Sequence, residues 1–111
     1  MPTVEGLQFG YALHPLEPGR MGLHRWRWEL WHGAYLAAAG WRLSRRDAER
    51  ALAKHGAAFG HRLFGLGTPR ALPPVDLSGL ARAATVRVDT GTIAFALVPG
   101  AVERPAAALA A

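Results

Sequence analysis

Apolar and polar positions alternate along 6–14, where Leu7, Phe9, Tyr11 and Leu13 stand against Gln8, Gly10, Ala12 and His14. A period of two is the signature of a strand with one buried face. Pro15, Pro18 and Gly19 are expected to end it. The alternation returns at Arg25-Trp26-Arg27-Trp28-Glu29-Leu30-Trp31. Trp26, Trp28 and Leu30 share one face of this second strand, and Arg25, Arg27, Glu29 and Trp31 share the other. His32-Gly33 reads as a hairpin turn into a third strand over 34–39. The three segments predict an antiparallel meander.

The period then changes. Ser44 is a good N-cap, and Asp47 three residues later makes a short-armed capping box. Ala48, Ala51, Leu52, His55 and Phe59 recur at helical spacing and predict a buried stripe. Arg46, Arg50 and Lys54 recur at i, i+4, i+8 on a different face. Gly56 and Gly60 weaken the second half, so the helix is expected to end between His55 and Phe64. The stretch 65–79 is rich in proline and glycine and reads as a loop over the surface. A last hairpin joins 84–88 to 93–98. A two-residue turn at Thr90-Gly91 pairs Val88 with Ile93 and Val86 with Phe95, and puts all four on one face with Leu97. Threonine at a positive-φ position counts against that turn.

These elements predict an α+β fold: an antiparallel sheet packed on one main helix, in the order β-β-β-α-β-β. One domain is expected over 1–98, followed by an Ala- and Pro-rich tail over 99–111. The expected core holds Trp26, Trp28, Leu52, Phe59, Val86, Ile93 and Phe95.

Composition narrows the chemistry. With 111 residues and half of them hydrophobic, the chain can bury one core. It has no cysteine, which removes disulfides, thiol nucleophiles and thiolate metal sites. Its longest apolar run, 34–41, is far short of the ~20 residues a membrane span needs. The first residues have no signal-peptide pattern, so a cytoplasmic protein without membrane contact is expected. The net charge of +5 and a pI near 11.1 favour polyanionic partners. An arginine- and alanine-rich composition set by genome base bias would give the same charge.

Catalytic patterns dissolve on inspection. Asp89-Thr90-Gly91 matches the aspartic protease tripeptide, but too little chain follows it, and a hairpin turn accounts for it. Pro2 could serve as a tautomerase-type base only with a strand and then a helix behind it. His14, His24, His32, His55 and His61 show no metal-ligand spacing. Gly65-Leu66-Gly67-Thr68 runs into Pro69 rather than the helix a phosphate loop needs. Ser44 and Ser78, the only serines, form no nucleophile elbow. No enzyme, cofactor or metal is expected.

The dense feature is aromatic. Trp26, Trp28, Trp31 and Trp41 are interleaved with Arg20, Arg25, Arg27, Arg42, Arg45 and Arg46. Arg25, Arg27 and Trp31 lie off the core-facing side of their strand. They are candidates for phosphate contact and base stacking, with Arg46, Arg50 and Lys54 of the helix as further nucleic-acid contacts. The bland account is that the arginine stems cover open sheet. The string Gly40-Trp41-Arg42-Leu43-Ser44-Arg45-Arg46-Asp47-Ala48-Glu49-Arg50-Ala51 resembles the strand-to-helix junction of AP2-type and integrase arm-type DNA-binding domains. The resemblance covers about 20–60. It implies a three-stranded sheet before one packed helix, and DNA read by arginines and tryptophans of the sheet. Glu29 and the reader-less 34–39 depart from that pattern.

Two functions follow. One is a small non-enzymatic protein that binds DNA or RNA. The other is a protein-interaction or assembly module, such as a phage or accessory-complex subunit. That module would dock another chain or a second copy on Ala94, Ala96 and Val98, a smooth face expected to be covered.

Overall fold

The computed structural model describes residues 6–19, 21–69 and 75–100. Pro2, Arg20 and the alanine-rich tail beyond Gly100 lie outside them. The elements are β1 (Gln8–Leu16), β2 (Arg25–His32), β3 (Tyr35–Arg42), α1 (Arg45–Leu63), a 3-10 turn (Ser78–Arg82), β4 (Val86–Asp89) and β5 (Ala94–Pro99). The fold is α+β in the expected order β-β-β-α-β-β, with one main helix on one face of a five-stranded sheet. The strands run β3-β2-β1-β5-β4 across it. The β1–β2, β2–β3 and β4–β5 pairs are antiparallel. The late hairpin extends the same sheet, and its β5 lies parallel to β1, with Gln8 opposite Ala96 and Tyr11 opposite Pro99.

The sheet's inner face follows from the alternation. Leu13 pairs with Trp28, and Tyr11 with Leu30. Phe9, Phe95 and Leu97 continue that face, and each is fully buried. Against them α1 lays Ala48, Ala51, Leu52 and Ala57, all buried. Burying each large side chain of this kind contributes roughly 1.5–3 kcal/mol. Trp26 and Phe59, expected in the core, sit at its margin and are half-buried. Arg45 explains the first: its guanidinium lies 5.0 Å from the Trp26 ring centroid, on the rim of the helix.

α1 begins as read. The Asp47 amide donates to Ser44 Oγ at 3.1 Å. The helix runs unbroken through Gly56 and Gly60 because those glycines are where it touches the sheet. A Cβ on Gly56 would stand 3.0 Å from the Phe95 ring, and one on Gly60 2.7 Å from Ile93 Cδ1. The interior penalty of ~1 kcal/mol for glycine is exchanged for close packing.

Several boundaries differ from expectation. β1 continues past His14 through Pro15 to Leu16. Beyond Tyr11 it has a partner on one side only, where proline is tolerated. β3 reaches Arg42 and carries a bulge: Leu30 faces Ala38, but Trp31 faces Leu36, so Ala37 is an extra residue. Both Ala37 and Ala38 pack against the core. The hairpin register is also shifted, with Val88 opposite Phe95 and Val86 opposite Leu97. Its loop holds four residues, and only Gly91 takes a positive φ, of 93°. The Thr90 hydroxyl accepts from the Thr92 and Ile93 amides at 3.2 and 3.1 Å, so a longer loop is better bonded. A slip of two residues keeps every side chain on its expected face. The stretch 65–79 is not wholly surface loop, since Val75 and Leu77 pack on the core beside buried Leu80. Among the described residues no helix is long and apolar enough to cross a membrane.

Candidate nucleic-acid interface

The face of the sheet turned away from α1 carries the first candidate set. Arg25, Arg27, Glu29 and Trp31 project from β2, which pairs with β1 and β3 on either side. Glu29 organises them. Its Oε2 accepts from Arg27 Nε at 2.9 Å, and its Oε1 accepts from Trp31 Nε1 at 2.9 Å. The carboxylate is therefore a clasp, with its side chain 13% exposed. The Arg27 bond uses Nε and does not consume the two terminal amino groups. Arg25 donates through Nη2 to Glu17 O at 3.1 Å, and its guanidinium lies 5.5 Å from the ring centroid of Trp41. Trp41 stands directly across from Arg27.

The second set lies on the other side of the molecule. Arg46, Arg50 and Lys54 are exposed on the outer surface of α1. The sheet stands between them and Arg25, Arg27 and Trp31, so the two predicted sets form no single surface. The helix set has a partner that sequence reading passed over. Arg42, at the end of β3, shares the inner-face parity of Gly40 and projects beside α1. Arg42, Asp47, Arg50, Ala51 and Lys54 line a concavity of about 260 Å³. Arg50 also borders a larger one of about 570 Å³, with Arg45, Arg46, Glu49 and the segment Val75, Asp76, Leu77, Ser78.

The charges on this flank are unequal. Arg45 pairs with Glu49 at 3.5 Å, and Arg50 with Asp47 at 3.3 Å. Among the described residues, Arg42, Arg46, Lys54 and Arg62 add four cations that form no salt bridge. His55 beside this flank has its pKa lowered, first by burial and then by Arg42, Lys54 and Arg62. His55 is thus biased towards its neutral form, its ring centroid 4.6 Å from that of Trp28.

Ala94 is buried and Ala96 and Val98 are half-buried, so that face offers no exposed apolar side chain. His32 packs edge-on against Phe9 and Phe59. His61 is buried, with Nδ1 3.0 Å from Gly67 O and Nε2 2.9 Å from Thr90 Oγ1. A carbonyl only accepts, so Nδ1 is the donor in the first of these bonds. Asp89 accepts from the Gly91 amide at 2.8 Å, which gives the Asp-Thr-Gly tripeptide its role as a turn. Among the described residues no three or more His, Asp or Glu side chains form a metal-binding group.

Trp41 and Arg42 belong to the cluster read from the sequence but have no assigned face there, and Arg62 is not singled out. The third strand was expected to stop at Ala39, so neither Trp41 nor Arg42 was given a face. Set beside models of protein families, curated proteins and solved structures, the chain matches nothing.

Proposed function

We propose that this protein is a non-enzymatic nucleic-acid-binding module whose phosphate contacts are made by the flank that α1 and β3 build together. The observation that carries this reading is the convergence of Arg42, Arg50 and Lys54 on one concavity. Arg46 lies one turn before Arg50 on the same helix, and Arg50 one turn before Lys54. At 1.5 Å rise per residue the row spans about 12 Å, enough for two successive phosphates. Neutralising phosphates releases condensed counterions, so such binding is strong at low salt and falls steeply as salt rises. The Arg25–Arg27 pair is a weaker phosphate site, because Glu29 already takes part of Arg27's charge.

The test is titration of a labelled mixed-sequence DNA at several salt concentrations. Wild type should bind at about 100 mM salt with micromolar to sub-millimolar affinity. Arg42→Gln/Arg50→Gln/Lys54→Gln should weaken binding and flatten the log–log salt slope by about two units, from ~0.7–0.9 per phosphate contact. A wild-type protein that binds no DNA or RNA at 50 mM salt would remove the reading.

Protein docking is the second reading. It is favoured by Tyr35, Leu36 and Leu43, which are exposed along and just after edge strand β3, rather than by Ala94, Ala96 and Val98. A protein that stays monomeric at high concentration and captures no partner through β3 would count against it.

A further inference from the structure

We propose that Trp41 is a stacking platform for an unpaired base, which makes single-stranded nucleic acid the partner of this module. The inference rests on the phosphate-binding reading of the α1–β3 flank and adds the kind of strand that flank receives.

Trp41 is 48% exposed on an edge strand, a large indole surface left to solvent. Its surroundings are fixed in advance. The Arg25 guanidinium lies over the ring and is tethered to Glu17 O, and Arg27 across the strand is clasped by Glu29. A platform already held in place loses little side-chain entropy when a base settles on it. The cations near the ring also attract the phosphates attached to that base.

Position supplies the rest. Trp41 and Arg42 are consecutive on β3, so they project to opposite faces of the sheet at its edge. Arg42 lines the basic concavity on the helix side, and Trp41 lies on the open side. A strand whose backbone follows Arg42, Arg50 and Lys54 can turn an unpaired base over the edge of β3 onto Trp41. A duplex cannot, because its bases are stacked and paired along its axis and present no free face. Stacking of this kind does not depend on which base is present, so the platform reads single-strandedness rather than sequence.

The probes are an end-labelled mixed-sequence DNA of roughly 12 nucleotides and its duplex, titrated at about 100 mM salt. The variants are Trp41→Leu, which keeps apolar bulk but has no π-face, and Trp41→Phe, which restores one. Wild type should bind the single strand more tightly than the duplex. Trp41→Leu should weaken single-strand binding by about 5- to 150-fold, leave duplex binding within about twofold, and keep the wild-type salt slope. Trp41→Phe should recover most of the loss. The inference is overturned if Trp41→Leu binds the single strand within about twofold of wild type, or if both probes weaken equally. In either case the salt slope still reports the α1–β3 phosphate track. If neither probe binds wild type, the phosphate track fails as well.

Discussion

Two side chains show how tightly the helix side of the sheet is fitted. A Cβ added to Gly40 would come within 3.0–3.1 Å of three atoms of the Trp28 indole. That indole is 2% exposed and has His55 against it, so it has nowhere to retreat. Gly40→Ala should therefore cost about 1–3 kcal/mol through overpacking, read as a lower denaturant midpoint at unchanged slope. An unaltered midpoint would mean that the ring has room. His55 carries the second prediction. Its pKa is lowered in the folded protein, so the unfolded chain binds the proton more readily. Its contribution is then complete above the unfolded value of ~6.5 and is lost as pH falls through the lower folded value. Stability should decline from pH 7 towards pH 5, and His55→Gln should flatten that decline. Equal slopes for the two proteins would assign the effect to another group.

At the scale of elements, the loop between β4 and β5 ties three segments together. The Thr90 hydroxyl serves the Thr92 and Ile93 amides and meets His61 of α1, whose other nitrogen holds Gly67. Thr90→Val keeps the shape and removes the hydroxyl's bonds to the two amides and to His61, which should cost about 1–3 kcal/mol in chemical denaturation. Thr90→Ser should retain most of the stability, and a Val variant as stable as wild type would show the hydroxyl to be dispensable. The same loop marks the limit of the sequence. Alternation set the faces of β1, β2, β4 and β5, since Phe9, Trp28, Leu30, Val88 and Phe95 all point where their parity puts them. It was blind to register, because a shift of two residues leaves parity unchanged. It was blind to the Ala37 bulge, because a run of alanines has no alternation to break. The parallel seat of β5 beside β1 was equally hidden, since a pattern within one strand says nothing about its neighbour.

Across the whole molecule, the candidate arginines do not form one surface. Sequence spacing placed Arg46, Arg50 and Lys54 on one helix face and Arg25 with Arg27 on one strand face. The sheet lying between the two sets became visible only in three dimensions, as did Arg42, which joins the helix row from a different element. The separation gives a prediction at this scale. Arg25→Ala/Arg27→Ala should reduce the salt slope of DNA binding by less than Arg42→Gln/Arg50→Gln/Lys54→Gln does, because Glu29 already neutralises part of the strand pair. A larger drop for the strand pair would transfer the phosphate track to the open face of the sheet.

The parallel pairing of β1 with β5 also dictates when the protein can become itself. Gln8, among the first described residues, finds its neighbour at Ala96, near the last of them. During synthesis the meander and α1 emerge long before that neighbour exists. Until β5 arrives, Phe9 has no Phe95 beside it, and Gly56 and Gly60 lack the Phe95 ring and the Ile93 side chain they pack against. The final strand is thus the step that closes the core, and its contact spans nearly the whole described chain. Contacts of that separation form slowly. The nascent protein spends the interval with an apolar flank of β1 open to the cell, and a ribosome stalled within the β4–β5 hairpin would release a chain fit for a chaperone or a protease.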